Sequence, residues 1–271
     1  MNTPLISFIG GGNMASAILG GLIANGTPAS ALRVVEPFEA QRDKLARDFG
    51  IQAQASADAR LQGSRTVVWA VKPQTFREAA QGCATWVGQA LQLSVMAGIR
   101  CAAIEQATAA SQVVRCMPNT PALIGQGMTG LYARPGVSPA QCREVEALLA
   151  PTGQLLWVEA EEQLDAVTAL SGSGPAYVFY FVEAMMRAAE QMGLSAEQGR
   201  QLALGTFAGA TELARRSDES PAVLRERVTS KGGTTYAALT RLEQQGVGEA
   251  FVQALQAARL RAKELGDEFG G

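Results

Sequence analysis

Along the first part of the chain, short apolar runs rich in β-branched residues alternate with segments whose apolar positions recur at helical spacing. LISFI (5–9), LRVVE (32–36), RTVVWAV (65–71), LQLSVM (91–96), QVVRCM (112–117), GLYA (130–133) and GQLLWVE (153–159) predict strands, and residues 13–25 and 40–49 predict helices. This alternation predicts a parallel sheet with both faces covered. Beyond Glu161 the strand signal stops and helical patterns run to the end. Ser173 with Pro175 predicts one helix start, Ser195 with Gln198 a capping box, and Ser220 with Pro221 a third start. The expected organisation is an α/β domain over residues 1–161 and an all-helical domain over 162–271, tightly joined because no low-complexity linker separates them.

The helix through Tyr177 and Phe181 is apolar around most of its circumference, and Gly205, Ala208, Gly209 and Ala210 allow close helix approach. A helix apolar on all sides needs several neighbours, which predicts a homodimer built through the helical half. A chain of 271 residues also exceeds the size at which one core keeps growing. Net charge is −2 with no basic cluster, so nucleic acid is not an expected partner. The four cysteines, Cys83, Cys101, Cys116 and Cys142, form no C-x-x-C pair and the chain has no histidine. They read as buried thiols in a reducing compartment rather than as metal ligands. The N-terminus has no basic leader-like region and no run reaches the ~18 apolar residues of a membrane span, so a cytoplasmic location is expected.

FIGGGNMASAI (8–18) follows a predicted strand and opens a predicted helix. Gly10, Gly12 and Ala15 fit G-x-G-x-x-[G/A], whose glycines admit a pyrophosphate to the amides of a helix N-terminus. Glu36 closes the second strand at about the distance, 20 residues, at which an acidic group meets an adenosine ribose. It reads equally as a ribose acceptor, which favours NADH over NADPH, or as a solvated strand-end charge, with Arg33 and Arg42 near enough to compensate. Val71, Lys72 and Pro73, then Ala97 and Gly98, then Met117 to Pro121 with Asn119, follow predicted strands where open α/β sheets bind ligands. Each stretch also has the composition of a plain turn.

Without histidine, the common proton carrier of nicotinamide-dependent alcohol dehydrogenases is missing, and no tyrosine is followed four residues later by lysine. An imine avoids the problem, because it takes its proton from water and then accepts hydride as an iminium cation. Such chemistry asks for positioning more than proton transfer. TSKGGTTY (229–236) then reads in two ways: as amides around Gly232 and Gly233 that bind a carboxylate beside a threonine that holds a nitrogen, or as a glycine C-cap and a threonine N-cap between helices.

FIGGGNMASAI, AVKP (70–73), RCMPNTPALIGQGMT (115–129), LSGSGPAYVF (170–179) and PAVLRERVTSKGGTTYAALTRLE (221–243) follow one another over nearly the whole chain. In this set the sequence resembles the 1-pyrroline-5-carboxylate reductases, which make proline in the last step of its synthesis. The resemblance implies an N-terminal Rossmann-type doubly wound parallel sheet and an all-α helical dimerisation domain interleaved with its twin. It also implies dimers that often assemble into decamers, NADPH or NADH as cofactor, and a nicotinamide meeting substrate at the dimer interface. By position, Thr235 corresponds to the threonine on the substrate nitrogen, and Ser230 with the backbone of Gly233 and Thr234 to the carboxylate loop. Gly10, Gly12, Asn13 and Met14 match the pyrophosphate turn; Val71, Lys72, Pro73, Ala97, Gly98 and Asn119 match positions around the ribose and nicotinamide. Two positions depart from the pattern: many members carry proline where Lys231 stands, and NADPH-using members tend to carry small polar or basic residues near Glu36. Rival readings are a reductase of another cyclic imine or a β-hydroxyacid, and a regulatory module that binds dinucleotide without turnover. The hydroxyacid reading wants a lysine on the first long helix of the second half, and PAYVFYFVEAMMRAAEQMG has none.

Overall fold

The computed structural model describes residues 4–269. Each predicted strand segment forms one strand of a single sheet: β1 (Ile6–Ile9), β2 (Leu32–Val35), β3 (Thr66–Trp69), β4 (Leu91–Ser94), β5 (Val113–Met117), β6 (Gly127–Ala133) and β7 (Gly153–Trp157). The order is β2-β1-β3-β4-β5-β6-β7. Between them lie α1 (Asn13–Ala24), α2 (Glu39–Phe49), α3 (Phe76–Val87), α4 (Cys101–Thr108) and α5 (Pro139–Leu149). Strand residues alternate between two apolar clusters, as a period of two dictates. Phe8, Val68, Leu93 and Val114 pack with α1, α2 and α5, while Ile9, Trp69 and Val113 pack with α3 and α4. This is the doubly wound arrangement.

One expectation is corrected. The sheet is mostly parallel rather than wholly so, because β6 runs antiparallel to β5, with β7 parallel to β6. The connection from Met117 to Gly127 holds only a short 3-10 turn, Thr120–Ile124, and a parallel return needs about a dozen residues or more. β6 also begins before residue 130. Its first residue, Gly127, lies so close to Gly153 that a Cβ on Gly153 would stand 2.1 Å from the Gly127 carbonyl oxygen, so Gly127, outside the predicted strand, starts one paired with that of Gly153.

After β7 come α6 (Gln163–Val167), α7 (Gly174–Gln191), α8 (Ala196–Arg216), α9 (Pro221–Arg227), α10 (Thr234–Gln244) and α11 (Val247–Phe269). The Ser195–Gln198 capping box and the Ser220 cap form as expected. α7 also begins beside Ser173 and Pro175 as predicted, but Ser173 does not cap it. A π turn over Thr168–Gly172 joins α6 to α7 as one helical course, Ser173 is helical (φ −86°, ψ −15°), and its N–H donates to the Thr168 carbonyl at 2.8 Å. An N-cap needs extended backbone, which Ser173 lacks.

The chain forms two compact units. One runs to Gly174 and takes in the chain from Ala258 onward; the other spans Pro175–Ala257. Helical composition begins after β7, yet α6 and the π turn stay in the first unit because they are bound to the sheet. Val167 packs where a Cβ on Gly130 of β6 would lie 2.6 Å away, and Asp165 pairs with Arg100 at 3.1 Å. The end of α11 is held there too: the Arg100 guanidinium lies 2.7 Å from where a Gly266 side chain would begin.

Candidate active site

The glycine turn sits where the strand order reverses, β1 lying between β2 and β3, the place at which open α/β sheets bind ligands. Gly10 has φ +96°, donates to the Val35 carbonyl at 2.8 Å, and would place a Cβ 2.6 Å from the Ala70 carbonyl oxygen. No other residue fits there. A Cβ on Gly12 would meet nothing within 4 Å, so open space lies beside the N-terminus of α1. That N-terminus, with Gly12 as N-cap, has no side-chain cap, leaving the first amides, those of Asn13 and Met14 among them, for an anion. Ala15 is fully buried, which lets α1 close on the sheet. The turn therefore fits a dinucleotide pyrophosphate.

Glu36 is buried, 5% exposed, which removes the reading as a solvated charge. Its two carboxylate oxygens accept from the backbone N–H groups of Gly11 (2.8 Å) and Phe38 (3.0 Å). Arg42 Nη1 donates to the carbonyls of Glu36 and Pro37, and Arg33 Nη1 to that of Ser30.

Val71, Lys72 and Pro73 follow β3, with Lys72 exposed and its carbonyl accepting from Thr75 in a 3-10 turn. Ala97 and Gly98 follow β4. Gly98 has φ +77°, and a Cβ there would lie 3.3 Å from the Leu265 backbone, so its glycine is explained by the packing of α11. Asn119 follows β5 and its side chain is spoken for. The Nδ2 donates to the Ser171 carbonyl and hydroxyl, and the Oδ1 accepts from Met128 N–H. Ser171 is the residue that sequence reading missed. Its segment looked like a helix cap, and nothing in single-sequence pattern marks a π turn. The turn is packed tightly, since a Cβ on Gly172 would lie 2.5 Å from Met117 Cε.

In the second unit, TSKGGTTY joins α9 to α10. Gly232 is left-handed (φ +75°), and the N-cap of α10 is Gly233 rather than a threonine. Gly233 N–H donates to the Ser230 carbonyl at 2.9 Å, and a Cβ on Gly233 would lie 2.6 Å from Ser230 Oγ. No side chain caps α10, so the amides of its first turn, those of Thr234 and Thr235 among them, carry the positive end of the helix dipole unmet. Ser230, Lys231 and Thr234 are exposed and Thr235 half-buried.

The cysteines are free; Cys83, Cys101 and Cys116 are buried, and burial pushes each thiol up, Cys83 to about 11, so they stay protonated. They are inert packing groups. Among the described residues no group of three or more His, Cys, Asp or Glu could hold a metal ion, and no helix is long and apolar enough to cross a membrane.

Residues 161–265 match the family model described as pyrroline-5-carboxylate reductase dimerisation, and residues 5–98 that described as NADP oxidoreductase coenzyme F420-dependent. The chain is 45% identical to the pyrroline-5-carboxylate reductase of Pseudomonas aeruginosa, with 100% of both chains covered. Among solved structures it is similar to a pyrroline-5-carboxylate reductase from Coxiella burnetii (38% identity, TM-score 0.89, 97% of this chain and 99% of that one). It is also similar to the Plasmodium falciparum pyrroline carboxylate reductase with NADP bound (27% identity, TM-score 0.87, 98% and 99% covered).

Proposed function

The chain belongs to the pyrroline-5-carboxylate reductase family, and from this premise we propose how its own residues carry out the family's reaction, the reduction of 1-pyrroline-5-carboxylate to L-proline. The bound NAD(P)H supplies the hydride. Gly10 and Gly12 open the turn to the pyrophosphate, and the amides at Asn13 and Met14 stabilise its charge. Val71, Lys72, Pro73, Ala97 and Gly98 flank the ribose and nicotinamide, with Asn119 fixing the turn after β5.

The observation that carries the substrate assignment is the uncapped N-terminus of α10 behind Ser230. The Thr234 amide with the Ser230 hydroxyl holds the carboxylate, Gly233 shapes the loop through its N–H to the Ser230 carbonyl, and the Thr235 hydroxyl holds the ring nitrogen. No proton donor is needed at the ring, since the imine arrives protonated from water. Orientation is then the main catalytic contribution. Purified protein is expected to oxidise NADH or NADPH on addition of this imine and to yield proline; folded protein that binds dinucleotide and leaves the imine unchanged overturns the assignment.

The helical unit forms the homodimer. Phe179, Tyr180, Leu202 and Leu213 are each more than half exposed in one chain, an apolar surface that a partner copy covers. Light scattering distinguishes the dimer from a decamer of such dimers, the larger assembly that the sequence resemblance implies. Free, buried thiols support a cytoplasmic location.

A further inference from the structure

The carboxylate of Glu36 lies just past the carboxyl end of β2, on the side of the glycine turn where an adenosine ribose sits in this fold class. We infer that Glu36, fixed in place by the backbone amides of Gly11 and Phe38, makes this enzyme select NADH over NADPH. The inference rests on the dinucleotide-binding part of the reading above and not on the identity of the imine.

The argument turns on whether the carboxylate can yield. Each oxygen already accepts one backbone N–H, at 2.8 and 3.0 Å, and each keeps a second acceptor direction for a ribose hydroxyl. Swinging the side chain away leaves Gly11 N–H, in a buried residue, without its partner, a costly state for a backbone amide. The packing leaves little slack either: a Cβ on Gly11 would stand 2.7 Å from Leu45 Cδ1 and 3.3 Å from Glu36 Cβ. A 2′-phosphate therefore approaches a negative charge that does not move aside, in a partly desolvated setting where repulsion is weakly screened.

Neighbouring cations do not cancel it without rearrangement. Arg42 donates through Nη1 to the carbonyls of Glu36 and Pro37, at 3.1 and 2.6 Å. Arg33 donates to Ser30 at 2.7 Å. Both guanidinium groups are engaged with the chain around β2, and among the other charges of α2 the exposed Glu39, Asp43 and Asp48 outnumber the exposed Lys44 and Arg47. Gln41, whose Nε2 donates to the Gly11 carbonyl at 2.5 Å, ties the same helix to the turn.

The test is fluorescence titration of the full chain with NADH and with NADPH, with no imine present. Wild type is expected to bind NADH roughly tenfold or more tighter than NADPH. Equal or tighter binding of NADPH overturns the inference. Glu36→Gln keeps the shape and one acceptor while removing the charge, and is expected to bring the two affinities within about threefold, chiefly by tightening NADPH. A Glu36→Gln protein that folds, by circular dichroism, and keeps the wild-type ratio also overturns it. Should that variant fail to fold, the wild-type ratio decides alone. Arg42→Ala is expected to leave NADPH affinity unchanged; a tenfold loss would show that Arg42 holds the phosphate and would overturn the assignment to Glu36.

Discussion

Asn119 gives both hydrogens of its side-chain amide to Ser171, at 3.2 Å to the carbonyl and 3.3 Å to the hydroxyl, while its oxygen accepts from Met128 N–H at 2.9 Å. The Met128 donor fixes which end of the amide is which. One side chain thus joins the turn after β5, the start of β6 and the π turn. Asn119→Ala is expected to lower stability by about 1–3 kcal/mol, because the Met128 amide loses its acceptor, and to raise the KM for dinucleotide. Asn119→Asp keeps that acceptor but sets a carboxylate against the Ser171 carbonyl, so its defect is expected to ease as pH falls below about 5. A pH-independent defect in the aspartate variant would rule this out.

The Thr235 hydroxyl is expected to matter for turnover and not for folding. Removing one hydrogen bond to a charged nitrogen costs about 1.5–3 kcal/mol, so Thr235→Ala is expected to lose about 10- to 100-fold in kcat/KM, with Thr235→Ser recovering most of it. Steady-state kinetics together with an unchanged Tm make the check, and unaltered kcat/KM removes Thr235 from the site.

Gly233→Ala places a methyl group 2.6 Å from Ser230 Oγ and is expected to raise the KM for the imine about tenfold without altering dinucleotide affinity. Adding Ser230→Ala clears the clash, so the double variant is expected to regain thermal stability while keeping the high KM. Equal loss of dinucleotide binding would show that the loop has a different task.

Gly10→Ala combines a φ of +96° with a Cβ 2.6 Å from the Ala70 carbonyl oxygen. About 2 kcal/mol or more of destabilisation is expected, along with loss of NADH binding by titration.

Burial pushes Cys83 from the usual 9.0 up to about 11. The folded state holds the neutral thiol more firmly than the unfolded one. Its contribution is therefore full below pH 9, the unfolded value, and is lost as pH rises toward 11. Urea unfolding under reducing conditions is expected to show wild type losing about 2–3 kcal/mol more than Cys83→Ala between pH 8 and pH 11. Parallel pH slopes in the two proteins would refute this.

The strands and the glycine turn were legible because β-branched runs and a turn of fixed geometry leave marks in one dimension. The antiparallel β6 was not, since its direction depends on the length of a connection and on the contact between Gly127 and Gly153. Glu36 could be placed from its spacing, but its burial and two amide partners come from the fold. The position of Asn119 after a strand is legible in one dimension, but its hydrogen bonds to Ser171 and Met128 come from three-dimensional packing. TSKGGTTY is legible as a glycine loop between two helices, whereas the absence of a threonine cap on α10 comes from the backbone.

The five residues Thr168–Gly172 hold one residue more than an α-helical turn accommodates. Deleting any one of them would let the segment relax to ordinary α-helix, in which about four residues cover nearly the rotation that five cover in the wider turn. The surplus residue is thus stored as a local bulge, and flattening it would shift the Ser171 carbonyl and hydroxyl away from the Asn119 amide that the wider turn presents them to.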